Sequence, residues 1–300
     1  MRKIPVGETI SRSYGFAFSN ILSIFGIAWV PYAILAAIAV GLVLLIAPDL
    51  PRMLLQGDFD PMQFMRASRI FGLLGLLSFL VTCMVTVGIQ RRALGRHRAP
   101  EYVFLSLATP VWRMVGALFL AWLVIAFIAL ATGAVVVGIW FVAGNLAPGF
   151  AWTVRAIAIV AAFLWIVYLI VRLTFLLPAV VVAEKRIGLA RAWELSAGNF
   201  WRIFAVAIAV FVPAWIAFRI VYGALAGSFF PMADIHANMD FHEILRVVFQ
   251  QMQVVGPFVI IAQFVERIVF LGLGNGMIAS AYLDLTGNPG AAAPAVQQGV

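Results

Sequence analysis

The sequence predicts an all-α, polytopic membrane protein with six transmembrane helices, and three observations lead to that fold class. The 300-residue chain is 64% hydrophobic and 11% charged, whereas a soluble domain is about 25% charged. Six apolar stretches each reach the roughly 20 residues that a helix needs to cross the hydrocarbon core. They lack strict polar–apolar alternation, which excludes a transmembrane barrel and leaves helices as the only structure that satisfies the backbone in lipid. The predicted spans are residues 21–47, 70–93, 114–143, 156–183, 204–227 and 254–283.

These spans form one predicted domain, residues 1–286, followed by a short tail. Residues 287–300 are rich in Gly, Ala and Pro, a composition that cannot bury a core. We therefore expect the tail to be disordered.

The charges of the loops predict the orientation of the spans. Twelve Lys and Arg residues lie before the first span and in the second-to-third and fourth-to-fifth loops, whereas five lie on the opposite side. Short loops rich in Lys and Arg stay in the cytoplasm. We therefore expect a multi-pass protein of the bacterial cytoplasmic (inner) membrane with both termini cytoplasmic.

The net charge is +8, and the placement of the cations predicts lipid partners rather than nucleic acid. The cations lie in short loops beside the spans and not on a separable basic domain. A Lys or Arg near an anionic leaflet gains about 1 kcal/mol. Anionic headgroups at the cytoplasmic face are the expected partners, and a protein partner or a homo-oligomer is left open.

Three similar segments open spans on the predicted cytoplasmic side. They are residues 20–25, 110–115 and 199–204, which begin 90 and 89 residues apart. Aromatic and apolar residues at helical spacing precede the first and third segments, which predicts interfacial amphipathic helices. We therefore predict three parallel units, each an interfacial helix followed by a two-span hairpin. The alternative is that cationic loops and aromatic belts recur in any membrane protein. The interfacial candidates are Arg191, Trp193, Trp201 and Arg202.

Ionisable residues inside spans are the first candidates for function. Arg172, Arg219, Glu266 and Arg267 qualify, and the last two lie near the middle of the predicted sixth span. Neighbours on a helix point about 100° apart, so Glu266 and Arg267 cannot pair with each other. We predict that Glu266 pairs with Arg172, either as a structural ion pair or in a polar cavity for an ion, proton or headgroup. Arg219 is expected to snorkel.

A run of small residues surrounds Asn275 in the sixth span. Gly272, Gly274 and Gly276 allow close helix packing. They are also typical of a backbone break that lines a transporter cavity, in which Asn275 would contact a substrate.

No metal or cofactor site is predicted with any strength. The weak metal candidates lie in the loop before the sixth span, where carboxylates and imidazoles alternate: Asp234, His236, Asp240 and His242. A solvated loop explains them equally well. Cys83 is the single cysteine, and we expect it to pack as a small buried hydrophobe. We predict no cofactor.

One stretch carries a family resemblance. It reads RLTFLLPAVVVAE at residues 172–184, then GLARAWELSAGNFWR at residues 188–202. This resembles the membrane domain fused to some bacterial glycerophosphodiester phosphodiesterases, and its stand-alone six-span relatives of unknown function. The resemblance implies an integral membrane module. The phosphodiesterase chemistry belongs to a separate soluble domain, and we expect no such domain here because the segments outside the spans leave no room for it.

The sequence thus predicts an integral membrane module without a catalytic domain that contacts lipid headgroups or a partner protein. No catalytic constellation is visible, so we expect a non-enzyme. One alternative is a small transporter or channel that uses the polar residues around Glu266 and Asn275. The other is an intramembrane enzyme that acts on a lipid.

Overall fold

A computed structural model describes residues 2–46, 61–96, 104–145, 147–229 and 241–287. Within these ranges the chain forms nine α-helices and no strand. Six segments are long and apolar enough to span a membrane, which confirms the predicted all-α polytopic fold. The helices are α1 Val6–Ser19, α2 Ile21–Ile46, α3 Pro61–Ala93, α4 Thr109–Ala143, α5 Pro148–Thr174, α6 Leu177–Glu184, α7 Leu189–Ser196, α8 Phe200–Phe229 and α9 Phe241–Thr286.

Most helices extend beyond the predicted apolar spans. Helix α9 has 46 residues and begins at Phe241, before the predicted start of the sixth span at residue 254. The helix therefore includes residues that are less apolar than the span itself. Four helices have a proline in their first turn: Pro61 in α3, Pro110 in α4, Pro148 in α5 and Pro178 in α6. Proline suits this position because its missing N–H would be unpaired there in any case.

The predicted fourth span is broken in two. Helix α5 ends at Thr174 and the buried helix α6 begins at Leu177. Pro178 lies in the first turn of α6, and a proline there cannot donate a hydrogen bond back to α5. Helix α6 packs against α3, α4 and α9, and its residues from Leu177 to Val182 are all buried. It therefore lies in the middle of the core.

Three helical hairpins form a closed ring. The hairpins are α2–α3, α4–α5 and α8–α9, and they meet through the contacts of α3 with α4, α5 with α8, and α9 with α2. Helix α1 packs mainly on α9 and α8, and α7 packs on α5. Each of these short helices therefore rests on the hairpin that precedes it around the ring, and not mainly on the hairpin that it introduces.

The second predicted unit differs from the other two. Residues 104–108, which lead into α4, are not helical. Residues 97–103 lie outside the described part of the chain. The described residues therefore contain a helix at two of the three places where an interfacial helix is predicted.

One end of the bundle is packed and the other is open. We define the basic face as the end that carries α1, α7 and the N-termini of α2, α4 and α8; the opposite end is the distal end. Buried residues of α4 occur at Val111, Met114, Ala117, Ala121 and Ile125, and then only at its end, Ala143. The hydrophobic core, with Cys83 inside it as predicted, lies toward the basic face.

Candidate functional site

Arg172 joins α5 to the C-terminal end of α7. Its guanidinium donates to the Trp193 carbonyl at 2.8 Å, to the Tyr168 hydroxyl at 2.8 Å and to Ser196 Oγ at 3.3 Å. It also lies 3.7 Å from the centroid of the Trp193 ring. Arg172 thus binds a helix end whose carbonyls carry partial negative charge.

The predicted ion pair between Arg172 and Glu266 is wrong. Glu266 instead accepts a hydrogen bond of 2.6 Å from the Tyr222 hydroxyl, across the α8–α9 hairpin. The sequence interpretation assumed that a cation in a span requires a carboxylate. Helix-end carbonyls and an aromatic face satisfy Arg172 without one.

The remaining charged candidates lie in the distal half of the bundle. Seventeen residues separate Arg202 from Arg219, and Arg267 from Asp284, which is about 25 Å of helix. Glu266 and Arg267 therefore lie inside the span Phe258–Thr286, in the half of it that is nearer the distal end.

Aromatic rings hold the two distal arginines. The Arg219 guanidinium lies 5.0 Å from the Trp215 ring centroid, and that of Arg267 lies 4.2 Å from the Tyr32 ring centroid. Both arginines are exposed. This arrangement is typical of side chains that reach toward an interface, as predicted for Arg219.

A polar pair is buried between α3 and α9. Gln90 is fully buried, and its Nε2 donates to the backbone carbonyl of Asn275 at 3.3 Å. The amide of Asn275 donates to the Leu271 carbonyl at 2.8 Å. The side-chain oxygens of both residues have no hydrogen-bond partner. The sequence predicted Asn275 as a candidate but not Gln90. The signal for Gln90 is that it is a polar residue close to the end of an apolar span.

Arg96 joins the end of α3 to the end of α6. Its guanidinium donates to the Val182 and Ala183 carbonyls. No side chain caps the buried N-terminus of α6, although such a terminus presents N–H groups that need partners.

An acidic residue ends the span on which each interfacial helix rests. In α1, Arg12 binds Asp284 at 2.8 Å, and Thr9 also donates to this carboxylate at 3.2 Å. In α7, Arg191 binds Glu184 at 3.3 Å. Both arginines lie eight residues before the asparagine that introduces the next hairpin. The first and third predicted units therefore share one docking chemistry.

Burial and ion pairing compete at Arg12. Burial disfavours the charged guanidinium, but hydrogen bonds and charge interactions with Asp284 and Glu8 outweigh it and raise the pKa of Arg12. Asp284 has 5% of its side chain exposed. The contacts of Arg12 and Thr9 with Asp284 therefore fix α1 to α9.

The N-terminal segment is tied to the start of α8. Asn199 accepts from the Ile4 N–H at 3.2 Å and donates to the Arg2 carbonyl at 3.1 Å, while Arg202 donates to the Ile4 carbonyl at 2.8 Å. Arg202 was predicted only as an interfacial cation. The side chain of Trp201 is 75% exposed and contacts the rings of Phe200 and Phe204.

A surface cleft lies where α6 passes into α7. It has a volume of about 160 Å³ and is lined by Arg186, Ile187, Gly188, Ala190, Arg191 and Glu194. We call it the headgroup cleft. It lies at the basic face and does not involve Glu266.

The weak metal candidates receive no structural support. Asp234, His236 and Asp240 lie outside the described residues, as does the side chain of His242. In the part of the chain that the structure describes, no three His, Cys, Asp or Glu side chains are grouped to hold a metal ion.

Comparison with known proteins adds no assignment. No family model, curated protein or solved structure matches this chain. The chain is thus a multi-pass membrane protein whose molecular role must be inferred from its own geometry.

Proposed function

We propose that this chain is a non-catalytic integral membrane module whose basic face lies in the cytoplasm of the bacterial inner membrane and binds anionic lipid headgroups. One observation carries the proposal. Amphipathic helix α1 is fixed to the basic face by Arg12–Asp284, and α7 is fixed there by the hydrogen bonds from Arg172 to Trp193 and Ser196 together with the longer Arg191–Glu184 contact. Such helices place a charged face at the headgroup level of a bilayer.

Exposed cations and aromatic rings lie together at this level. Arg2, Lys3 and Lys185 are exposed. Trp112 and Trp201 are 54% and 75% exposed near the ends of their spans, where aromatic rings mark a membrane interface. Each cation near an anionic leaflet contributes about 1 kcal/mol, so several together favour anionic lipid.

Quantitative mass spectrometry of co-purified lipid tests this function. We expect the protein, extracted in mild detergent, to be enriched in phosphatidylglycerol and cardiolipin relative to the bulk membrane. Replacing Lys3 and Lys185 by Gln should reduce the enrichment. Replacing the distal Arg155 and Arg219 by Gln is the matched control, and it should change the enrichment less.

Equal anionic lipid content in the protein fraction and the bulk membrane would contradict the proposal. A larger loss from the distal variants would contradict the assignment to the basic face.

A second candidate, a small transporter or channel, is favoured by the broken fourth span. Broken helices line the substrate sites of many transporters. Here the start of α6 has no side-chain cap, and the buried side-chain oxygens of Gln90 and Asn275 have no partner. Such groups favour water or a polar solute over a dry core.

Hydrogen exchange distinguishes an open polar site from a sealed one. Fast native-state exchange of the Leu176 and Leu177 amides, with slow exchange of the Val181 and Val182 amides, would support transport. Slow exchange at all four positions would contradict it.

A third candidate is an intramembrane enzyme that acts on a lipid. Lipid profiles of strains that lack or overproduce the protein test it. Unchanged headgroup and acyl compositions would contradict an enzymatic role.

A further inference from the structure

The headgroup cleft is a shaped feature of the backbone. Lys185 has a φ of 55°, in the left-handed region, which turns the chain sharply at the end of α6. At Gly188 a Cβ atom would collide with the side chain of Val180. Only glycine therefore lets this loop close against the buried helix, and the wall of the cleft is held in place by the core.

The charges that line the cleft are only partly paired. Glu184 is closely bound by Arg186, with N–O distances of 2.9 and 2.5 Å. Arg191 makes only long contacts, at 3.3 Å to Glu184 and 3.4 Å to Glu194. Close charge-assisted hydrogen bonds measure about 2.7–2.9 Å. Arg191 and Glu194 therefore retain capacity to bind a ligand.

Both signs of charge are accessible in this cleft. The side chains of Arg186 and Glu194 are 60% and 65% exposed. A guanidinium can bind a phosphate with two parallel hydrogen bonds. A free carboxylate accepts hydrogen bonds from an ammonium group. The lining therefore suits a zwitterion better than a simple anion.

The cleft also lies next to a surface that lipid tails can cover. Glu184 ends the span Gly149–Glu184, which has 6% of its most apolar window buried. Ile187 is 51% exposed, and its Cδ1 lies 3.5 Å from the Cβ position of Gly116 in α4. A phospholipid with its acyl chains along α4 and α5 would place its headgroup at the cleft.

We propose that the headgroup cleft binds the phosphoethanolamine headgroup of a membrane phospholipid. The phosphate contacts Arg186 and Arg191, and the primary ammonium donates to Glu194. A choline headgroup has no N–H to donate, and a glycerol headgroup leaves Glu194 without a cation. This site goes beyond the proposed function, because it assigns a zwitterionic headgroup to one position of a face that is otherwise proposed to bind anionic lipid.

Native mass spectrometry of delipidated protein tests the site, with phosphatidylethanolamine, phosphatidylcholine and phosphatidylglycerol of identical acyl chains as probes. We expect phosphatidylethanolamine to bind about tenfold more tightly than phosphatidylcholine, since one charge-assisted hydrogen bond distinguishes them. Glu194→Gln should bring that ratio close to one. Glu8→Gln is the matched control, because Glu8 is 62% exposed on the other interfacial helix, and it should leave the ratio unchanged.

A charge reversal keeps the test decisive. Glu194→Lys should make phosphatidylglycerol bind more tightly than phosphatidylethanolamine, and circular dichroism should show an unchanged helix content. Equal binding of phosphatidylethanolamine and phosphatidylcholine by the native protein would overturn the proposal, as would a preference that survives Glu194→Gln.

Failure of the cleft and failure of the proposed function are distinguishable. Enrichment of anionic lipid without headgroup discrimination at the cleft overturns this inference and leaves the proposed function standing. Discrimination at Glu194 without anionic enrichment supports the cleft and contradicts the broader role of the basic face.

Discussion

The basic and distal halves of the bundle have similarly apolar sequences but different packing. Near the basic face, α6 fills the space between α3, α4 and α9, and α1 covers α9. Toward the distal end, α4 buries no described residue between Ile125 and Ala143. Lipid is as apolar as a leucine side chain, so burial from lipid alone does not drive helices together. Close packing in lipid requires small residues or polar bonds, and the hydrogen bonds between separate helices are concentrated at the basic face.

The polar contacts of the two halves differ in the same way. At the basic face, Arg12, Arg96, Arg172 and Arg202 each connect separate helices or segments through hydrogen bonds. At the distal end, Arg219 lies over a ring of its own helix and Glu266 binds within its own hairpin. We therefore expect stability to depend on the basic half, and four substitutions test this difference.

The largest expected effect is at the pair that fixes α1. Asp284→Leu would leave Arg12 partly buried with only the exposed Glu8 as a carboxylate partner. Removing one member of a buried pair costs about 3–5 kcal/mol. Thermal unfolding in detergent should show a clearly lower midpoint for Asp284→Leu than for the native protein. Glu266→Leu, which removes a carboxylate in the distal half, is the matched control. A larger loss from Glu266→Leu would reverse the proposed difference between the halves.

The next effect is expected at Arg172. Arg172→Met would leave the end of α7 and the Tyr168 hydroxyl without their donor, and a hydrogen bond to a charged group contributes about 1.5–3 kcal/mol. Limited proteolysis should then cut at residues 185–199 faster than in the native protein. Arg219→Met is the control, since Arg219 also lies over a tryptophan ring. Equal proteolysis of both variants would mean that Arg172 does not hold α7.

Substitutions at two glycines test which part of the bundle is closely packed. A Cβ at Gly272 would lie 3.0 Å from Ile24 Cδ1 and 3.2 Å from the Ala17 Cα, whereas one at Gly138 meets nothing within 4 Å. Gly272→Leu should push α1 and α2 from α9 and cost about 1–3 kcal/mol. Gly138→Leu should be neutral or stabilising in the same thermal assay. Equal midpoints for the two variants would contradict the assigned packing.

The smallest effect is expected in the distal hairpin. Glu266→Leu removes one hydrogen bond from Tyr222 in an open region, which costs about 0.5–1.5 kcal/mol. A double-mutant cycle with Tyr222→Phe should give a coupling energy of that size. A coupling near zero would mean that the bond does not form in the membrane. A measurable coupling energy between Glu266 and Arg172 would instead support the ion pair that was predicted from the sequence.

Several features of the fold follow from the sequence through composition. Six spans of sufficient length and the helical class were predictable, because lipid leaves the backbone few alternatives. The docking residues Arg191 and Trp193 were found because amphipathic spacing is visible in α7. The break at residues 175–176 was not predicted, since hydropathy is continuous from α5 into α6 and Pro178 alone does not distinguish a kink from a new helix.

The sequence by itself determined that the chain is helical and spans a membrane six times, because hydropathy and segment length depend only on local composition. The tertiary structure alone decided which polar groups meet. Arg172 binds the end of α7 rather than Glu266, and Gln90 meets Asn275, because such pairings depend on which helix faces turn toward each other. In lipid those faces are selected by small residues and hydrogen bonds, whose partners lie far apart in the chain.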